Sequence, residues 1–274
     1  MAYLDGMFSL AGKTVAITGG GGVIAGAMAE AFLRAGAKVA LWGHRMVSAE
    51  AAKQRLESLP GLEDSGKRIL ALEVDAMSED AVKAALEKTA AELGGPDILV
   101  NAAGGNRGKS PFVDIDVKVF EDVLKLNLLA GLIVPTKAAA AFWIARGIKG
   151  TIINFASMAS DIPLSGVWAY GAAKACVMNL TMASAKEFAP HGIRVNAIAP
   201  GFFLGDQNRA LLIDEKTGDL TPRGQSVISR TPFGRFGNVS ELAGVTLFLA
   251  SQEASGFVTG VTIPVDGGYL VDNI

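Results

Sequence analysis

With 274 residues, half of them hydrophobic, and a mean hydropathy of +0.35, the chain is long enough to bury an extensive core. Its net charge of −2 and pI of about 5.8 offer no electrostatic footprint for nucleic acid. A single cysteine, Cys176, excludes an internal disulfide, and two histidines beside it do not furnish a structural zinc site.

The N-terminal stretch carries Asp5 and Lys13 around a short apolar piece, without the basic start and long apolar middle of an export signal. No uninterrupted run of about 20 apolar residues follows. The nearest, Leu126 to Ala145, is broken by Asn127, Pro135, Thr136 and Lys137. The expectation is a cytoplasmic protein without a membrane partner.

The first strand candidate is Thr14-Val-Ala-Ile-Thr18. It runs into Thr18-Gly-Gly-Gly-Gly-Val-Ile-Ala-Gly26, which opens a stretch of helical spacing over Ala27–Ala35. Glycines between a first strand and a first helix permit a tight turn and close backbone approach, and the helix start attracts a pyrophosphate. Four consecutive glycines without such a use would be costly in conformational entropy. Lys38–Trp42 is the second strand, followed by Gly43-His44-Arg45 and a helical stretch, Ser48–Ser58. An acidic residue at the end of that strand would accept from an adenosine 2′-hydroxyl and select NAD. None stands there. Arg45 suits a 2′-phosphate and His44 suits stacking on adenine, which tilts the expected cofactor from NAD toward NADP.

Pro60 to Arg68 reads as a surface loop, Ile69–Val74 as the third strand and Glu79–Leu93 as a helix. Asp97–Val100, Thr151–Phe155, Ile193–Ile198 and Val261–Val265 complete seven strands, with a long helix over Tyr170–Phe188. Cys176 falls in the apolar pattern of that helix and reads as a packing residue. Near-continuous apolar strands alternating with helices predict a single-domain α/β fold, a doubly wound parallel seven-stranded sheet with helices on both faces. The irregular segment 205–238 follows the sixth strand, beyond the strand ends where ligands bind, and is expected to be a substrate lid. Arg230 and Arg235 are expected to structure it or to pair with carboxylates.

Ser157, Tyr170 and Lys174 are the candidate chemistry. Tyr170 and Lys174 share a helix face at i, i+4, and Ser157 follows a strand that can face that helix. A phenol has a reference pKa of about 10, so bringing it to about 7 needs roughly 4 kcal/mol. A fixed ammonium about 4 Å away supplies roughly that at an effective dielectric of about 20. For substrate, the polar residues Asn106, Arg107, Gln207, Asn208 and Arg209 lie beyond strand ends and suit hydroxyls and a carboxylate.

These residues resemble the classical short-chain dehydrogenase/reductase family over essentially the whole chain. The correspondences come in order: Thr18-Gly19, Asp75 at the end of the third strand, Asn101-Ala-Ala-Gly104, Asn127, Ser157, Tyr170, Lys174, Pro200-Gly201 and Val265-Asp-Gly-Gly268. The family turn is Thr-Gly-x-x-x-Gly-x-Gly, whereas here Val23 and Ala25 hold the later glycine positions and Gly22 and Gly26 lie beside them. Gly104-Gly-Asn-Arg107, Asn154-Phe-Ala-Ser-Met158 and Pro200-Gly-Phe-Phe are similar to a subgroup of D-mannonate oxidoreductases or fructuronate reductases.

The resemblance implies ketone and secondary-alcohol interconversion by hydride transfer. Tyr170 would be the general acid/base, Lys174 would lower its pKa and bind the nicotinamide ribose, and Ser157 would hold the substrate oxygen. Asn127 would hold a helix distortion. Cofactor contacts are expected from Gly19, Gly22, Ile24, His44, Arg45, Asp75, Ala76, Asn101, Tyr170, Lys174 and Phe203. The expected substrate is a keto-sugar acid or polyol. The alternatives are a 3-oxoacyl thioester reductase and a non-catalytic dinucleotide sensor. A homotetramer is also implied, with Leu126–Ala145 and Tyr170–Phe188 packed between subunits through small faces at Ala138–Ala141 and Ala172-Ala173.

Overall fold

The structure, a computed structural model, describes residues 2–164, 166–205 and 209–272. Seven β-branched, apolar runs form one parallel sheet: β1 (Thr14–Thr18), β2 (Lys38–Gly43), β3 (Ile69–Glu73), β4 (Ile98–Asn101), β5 (Thr151–Phe155), β6 (Arg194–Pro200) and β7 (Thr262–Val265). β1, β4 and β5 are buried at every position, which is why they read as continuous apolar runs rather than alternating ones. The spatial order is β3-β2-β1-β4-β5-β6-β7. The direction of winding reverses between β1 and β4, where Thr18 stands opposite Asn101. A crevice opens beyond the strand ends at such a point.

The helices in chain order are α1 (Ala2–Phe8), α2 (Val23–Arg34), α3 (Met46–Glu57), α4 (Glu79–Leu93), α5 (Val117–Leu124), α6 (Val134–Arg146), α7 (Trp168–Phe188), α8 (Arg209–Leu212), α9 (Pro222–Ser229), α10 (Ala243–Ala250) and α11 (Gln252–Ser255). Caps set several starts. Ser78 Oγ accepts from the Ala81 amide at 3.3 Å, and Asp116 Oδ1 accepts from the Val119 amide at 3.1 Å. One core packs α2, α3 and α10 on one face of the sheet around Phe32, Leu41 and Leu56. The other packs α4 and α6 on the opposite face around Trp42, Leu86 and Trp143.

α5 and α6 are one continuous helix, Val117–Arg146, whose middle, Lys125–Ile133, widens to the π form. By length and composition it could cross a membrane, yet 56% of its most apolar window is buried within the fold. Its hydrophobicity therefore serves the interior. Ala138, Ala139 and Ala140 pack into the chain's own core, and only Ala141 of that group faces outward. On α7, Ala173 is buried and Ala172 exposed. Cys176, expected to be a packing residue, is exposed instead. It stands at the edge of the α7 face whose core positions Ala173 and Val177 take.

Candidate active site

The crevice is built first from Thr18, the last residue of β1. Its Oγ1 accepts from the amides of Ala102 and Ala103, both at 3.1 Å, and so ties the ends of β1 and β4 together. Gly19 then turns the chain with φ +65°, and a Cβ there would stand 3.0 Å from the Ala102 carbonyl oxygen. The Gly22 amide donates to the Gly19 carbonyl at 2.9 Å, which closes the turn. α2 starts at once. Among the described residues no side chain caps it, and its own first turn holds no carboxylate, so its amides and positive dipole end suit an anion. This arrangement fits a dinucleotide pyrophosphate. Val23 and Ala25, the departures from the family turn, lie inside α2, where L-residues are at ease; neither has positive φ.

Across the crevice, β5 delivers Ser157. Its Oγ accepts from the Ala159 amide at 3.1 Å and caps the short turn Met158–Ser160. Ser160 Oγ donates to the Lys174 carbonyl at 2.8 Å and fixes that turn to α7. The Ser157 hydroxyl faces the Tyr170 phenol closely enough to draw its pKa down. Lys174 is 6% exposed, and its Nζ donates to the Phe155 carbonyl at 2.7 Å. Burial lowers its pKa to about 8. The sequence-based expectation that Lys174 brings the Tyr170 phenol down is not met by these groups. Burial pushes Tyr170 above its ordinary value, and only Ser157 draws it back. The ammonium is turned onto Phe155, 5.6 Å from the Tyr170 ring centroid, so desolvation prevails.

Asn127 sits fully buried in the π segment. Its Nδ2 donates to the carbonyls of Gly105 at 2.7 Å and Val123 at 2.8 Å, while its Oδ1 accepts from the Gly105 amide at 3.1 Å. The side chain thus clamps the strand leaving β4 to the distorted helix. A Cβ at Gly104 would stand 2.8 Å from Asn127 Oδ1 and 3.6 Å from Lys174 Nζ, which places all three together.

The remaining predicted residues divide. Ile24 is half-buried against the core beside the turn. His44 and Arg45 are exposed, and their side chains make no hydrogen bond or ion pair among the described residues. Asp75 turns the chain into α4 by accepting from the Met77 amide at 2.9 Å, with half-buried Ala76 between them. Asn101 donates to Thr136 Oγ1 at 2.9 Å and Asn154 Oδ1 at 2.8 Å, so its side chain links β4 to α6 and β5 rather than lining the crevice. Phe203 is likewise a core residue, its ring lying over Gly237. Asn106 folds back, donating to the Gly108 carbonyl at 3.2 Å. Arg107 and Arg209 are exposed on segments beyond β4 and β6, their side chains unpaired among the described residues. Gln207 and Asn208 lie outside the described residues.

Two features escaped the sequence reading. Glu73, the last residue of β3, supplies a carboxylate beside the end of β2: its Oε2 accepts from the Met46 amide at 2.8 Å. Trp168 donates from its indole to the Ser110 carbonyl at 3.0 Å and meets Phe112 edge-on, 5.3 Å between ring centroids. This clasps the loop after β4 to the start of α7.

A family model described as enoyl-(acyl carrier protein) reductase matches residues 21–270. The 2-dehydro-3-deoxy-D-gluconate 5-dehydrogenase of Escherichia coli (strain K12) is 37% identical over 263 residues, spanning 96% of this chain and 97% of its own. A Haemophilus influenza protein described provisionally as a D-mannonate oxidoreductase, solved with bound NAD, superposes with a TM-score of 0.88. It is 33% identical and covers 98% of this chain and 99% of its own. A gluconate 5-dehydrogenase from Burkholderia cenocepacia J2315, solved with NADP and tartrate, gives a TM-score of 0.85 at 33% identity, covering 98% and 99%.

Proposed function

The chain belongs to the short-chain dehydrogenase/reductase family and is an NAD(P)-dependent oxidoreductase, and from that premise we propose that it interconverts a ketone and a secondary alcohol on a sugar acid. The observation that carries this reading is the convergence of Ser157, Tyr170 and Lys174 at the mouth of the crevice, opposite the pyrophosphate-binding start of α2. When bound, the nicotinamide supplies or accepts the hydride. Tyr170, whose phenol is protonated at neutral pH, donates its proton to the carbonyl oxygen. Ser157 donates a hydrogen bond to the same oxygen and stabilises the negative charge that develops there. The Lys174 ammonium, held on the Phe155 carbonyl, stands beside the Tyr170 ring and is placed to meet the hydroxyls of a nicotinamide ribose. Asn127 keeps the wall of the crevice fixed through Gly105.

The substrate reading rests on Arg107 and Arg209, two guanidinium groups unpaired among the described residues and suited to bidentate carboxylate binding, and on the sugar acids named for the relatives. A keto-sugar acid of the fructuronate type fits both. The segment 205–238 serves as the lid over it. The alternative of a 3-oxoacyl thioester reductase shares an acyl thioester substrate with the family model's description, although an enoyl reductase reduces a carbon–carbon double bond and not a ketone. It would call for a basic face toward an acidic carrier protein, and the net charge is −2. The third reading, a dinucleotide sensor without chemistry, uses the same α2 start.

One assay separates the three. Oxidation of NADH and NADPH is followed with D-fructuronate, 5-keto-D-gluconate and a 3-oxoacyl thioester. Turnover on a keto acid and not on the thioester is expected. Turnover on the thioester alone would replace the substrate reading, and dinucleotide binding with no turnover would leave the sensor. We further propose a homotetramer, with Leu129, Ile133 and Ile144 on the long helix and Met182 on α7 as its exposed apolar contacts. Sedimentation at four times the chain mass of 28.3 kDa is the expected result, and a monomer would refute it.

A further inference from the structure

We propose that Glu73 sets the dinucleotide choice: its carboxylate, fixed on the first amide of α3 beside the end of β2, accepts from the adenosine ribose and turns away a 2′-phosphate, so that the chain takes NAD(H). The inference rests on the dinucleotide-binding reading of the α2 start.

In this fold class the adenosine ribose is read at the end of the second strand, commonly by an acidic side chain there. Here β2 ends in Gly43, which has no side chain to offer. The space is closed as well: a Cβ on Gly43 would stand 3.0 Å from Ala49 Cβ and 3.3 Å from Ser48 Oγ. The neighbouring strand supplies what β2 lacks. Glu73 is the register partner of Gly43, so both residues project to the same face of the sheet. From there Glu73 Oε2 reaches the Met46 amide at 2.8 Å.

That contact matters for an anion. α3 has twelve residues, no acidic residue in its first turn and no side-chain cap from Arg45. Its start would otherwise attract a phosphate. Glu73 takes the first amide and neutralises the dipole end. Its Oε1 accepts no hydrogen bond among the described residues and is available to a ribose hydroxyl. The cofactor turn is close by: a Cβ on Gly21 would stand 2.8 Å from Ser48 Cβ in the same first turn of α3. A ribose bound between the turn and β2 therefore lies next to this carboxylate. His44 and Arg45 pull the other way. Both are exposed, like Glu73, but their side chains have no partner among the described residues, whereas Glu73 is fixed by the Met46 amide.

The test is binding. Dissociation constants for NADH and NADPH are measured by nucleotide fluorescence, and those for 5′-AMP and 2′-AMP by calorimetry, on the wild type and on Glu73→Gln. Glutamine keeps an acceptor for the Met46 amide and removes the charge. The wild type is expected to prefer NADH. In Glu73→Gln the ratio of the NADPH to the NADH constant is expected to fall about tenfold, with a parallel fall for 2′-AMP against 5′-AMP. A wild type that prefers NADPH, or a variant in which the ratio does not move, would overturn the inference and leave Glu73 as a cap on α3. A wild type that binds neither dinucleotide would overturn the functional reading itself, and this inference with it.

Discussion

Burial holds the Tyr170 phenol above its ordinary pKa, while the Ser157 hydroxyl draws it part of the way back. At neutral pH the group is therefore an acid with a proton to give, which suits reduction of a carbonyl. Tyr170→Phe keeps the ring and removes the proton. Turnover is expected to fall by roughly 10²–10⁴, the usual worth of a positioned acid, with the NADH dissociation constant within about threefold of wild type. Single-turnover kinetics and a binding titration check both halves, and retained turnover would remove Tyr170 from the mechanism. Lys174 makes a stability prediction. Its folded pKa of about 8 lies below the unfolded value of 10.5 because burial penalises the ammonium. Between those values the unfolded chain holds more protons than the folded one, so stability rises with pH across the window, by about 3 kcal/mol at most. Below about 8 both states are protonated and the full penalty is present. Lys174→Met is expected to flatten that rise and to gain stability at pH 7. Urea unfolding of both proteins from pH 7 to 10 measures it, and parallel curves would contradict it.

Between elements, the clasp on the crevice wall carries the next prediction. The loop that bears Asn106 and Arg107 is joined to the start of α7 by three contacts. They are the Trp168 indole on the Ser110 carbonyl, the Ser110 amide on the Gly166 carbonyl at 3.3 Å, and Phe112 against the Trp168 ring. Trp168→Phe keeps a ring and loses one hydrogen bond, worth about 0.5–1.5 kcal/mol. The expected result is a KM for the carbonyl substrate raised roughly 2- to 12-fold, with kcat and the NADH constant little changed. A fall in kcat at constant KM would place Trp168 in the chemistry instead. This clasp was not legible in the sequence, because it pairs residues 58 apart through a main-chain carbonyl. The strands were legible for the opposite reason. β1 and β5 have the bounds read from sequence because a doubly covered parallel strand needs an unbroken β-branched run. α4 was equally plain, with Ser78 to start it and Gly94 to end it. α2 begins four residues before the helical spacing becomes visible, since the glycine run has no periodicity to show. Ser157, Tyr170 and Lys174 could be read from spacing, but the direction of the Tyr170 shift could not. It depends on burial and on where Lys174 Nζ points. Glu73 was missed because its place beside β2 comes from strand register, which only the fold supplies.

At the scale of the molecule, the crevice is only as firm as the half of the sheet that bears β5, β6 and β7, and one buried cation fastens that half. Arg194 opens β6 at 5% exposure. Its guanidinium donates to Thr151 Oγ1 on β5 at 3.1 Å, Ser255 Oγ at 3.1 Å, Gln252 Oε1 at 3.3 Å and the Val258 carbonyl at 3.4 Å. Every one of these partners is neutral. Burial lowers its pKa to about 10, which still leaves it charged at neutral pH. The charge is stabilised by dipoles drawn from β5, from α11 and from the segment leading into β7, so those elements are bound to β6 through a single side chain. Replacing a buried ion by an apolar group can be neutral when the partners leave with it. Here the partners stay. Arg194→Met would strand Thr151 Oγ1, at about 1–3 kcal/mol for a buried group that finds no substitute, and would remove one hydrogen bond each from Ser255, which keeps its carbonyl acceptors, and from the Val258 carbonyl, which keeps the Asn196 amide. A loss of roughly 2–4 kcal/mol, or a Tm lower by about 5–15 °C, is expected in thermal unfolding. Arg194→Lys should recover only part of it, because an ammonium cannot reach all four partners at once. The NADH constant, which the proposed site at the α2 start would set, should not move below the melting range. A variant that melts like the wild type would mean the C-terminal elements are held by apolar packing alone.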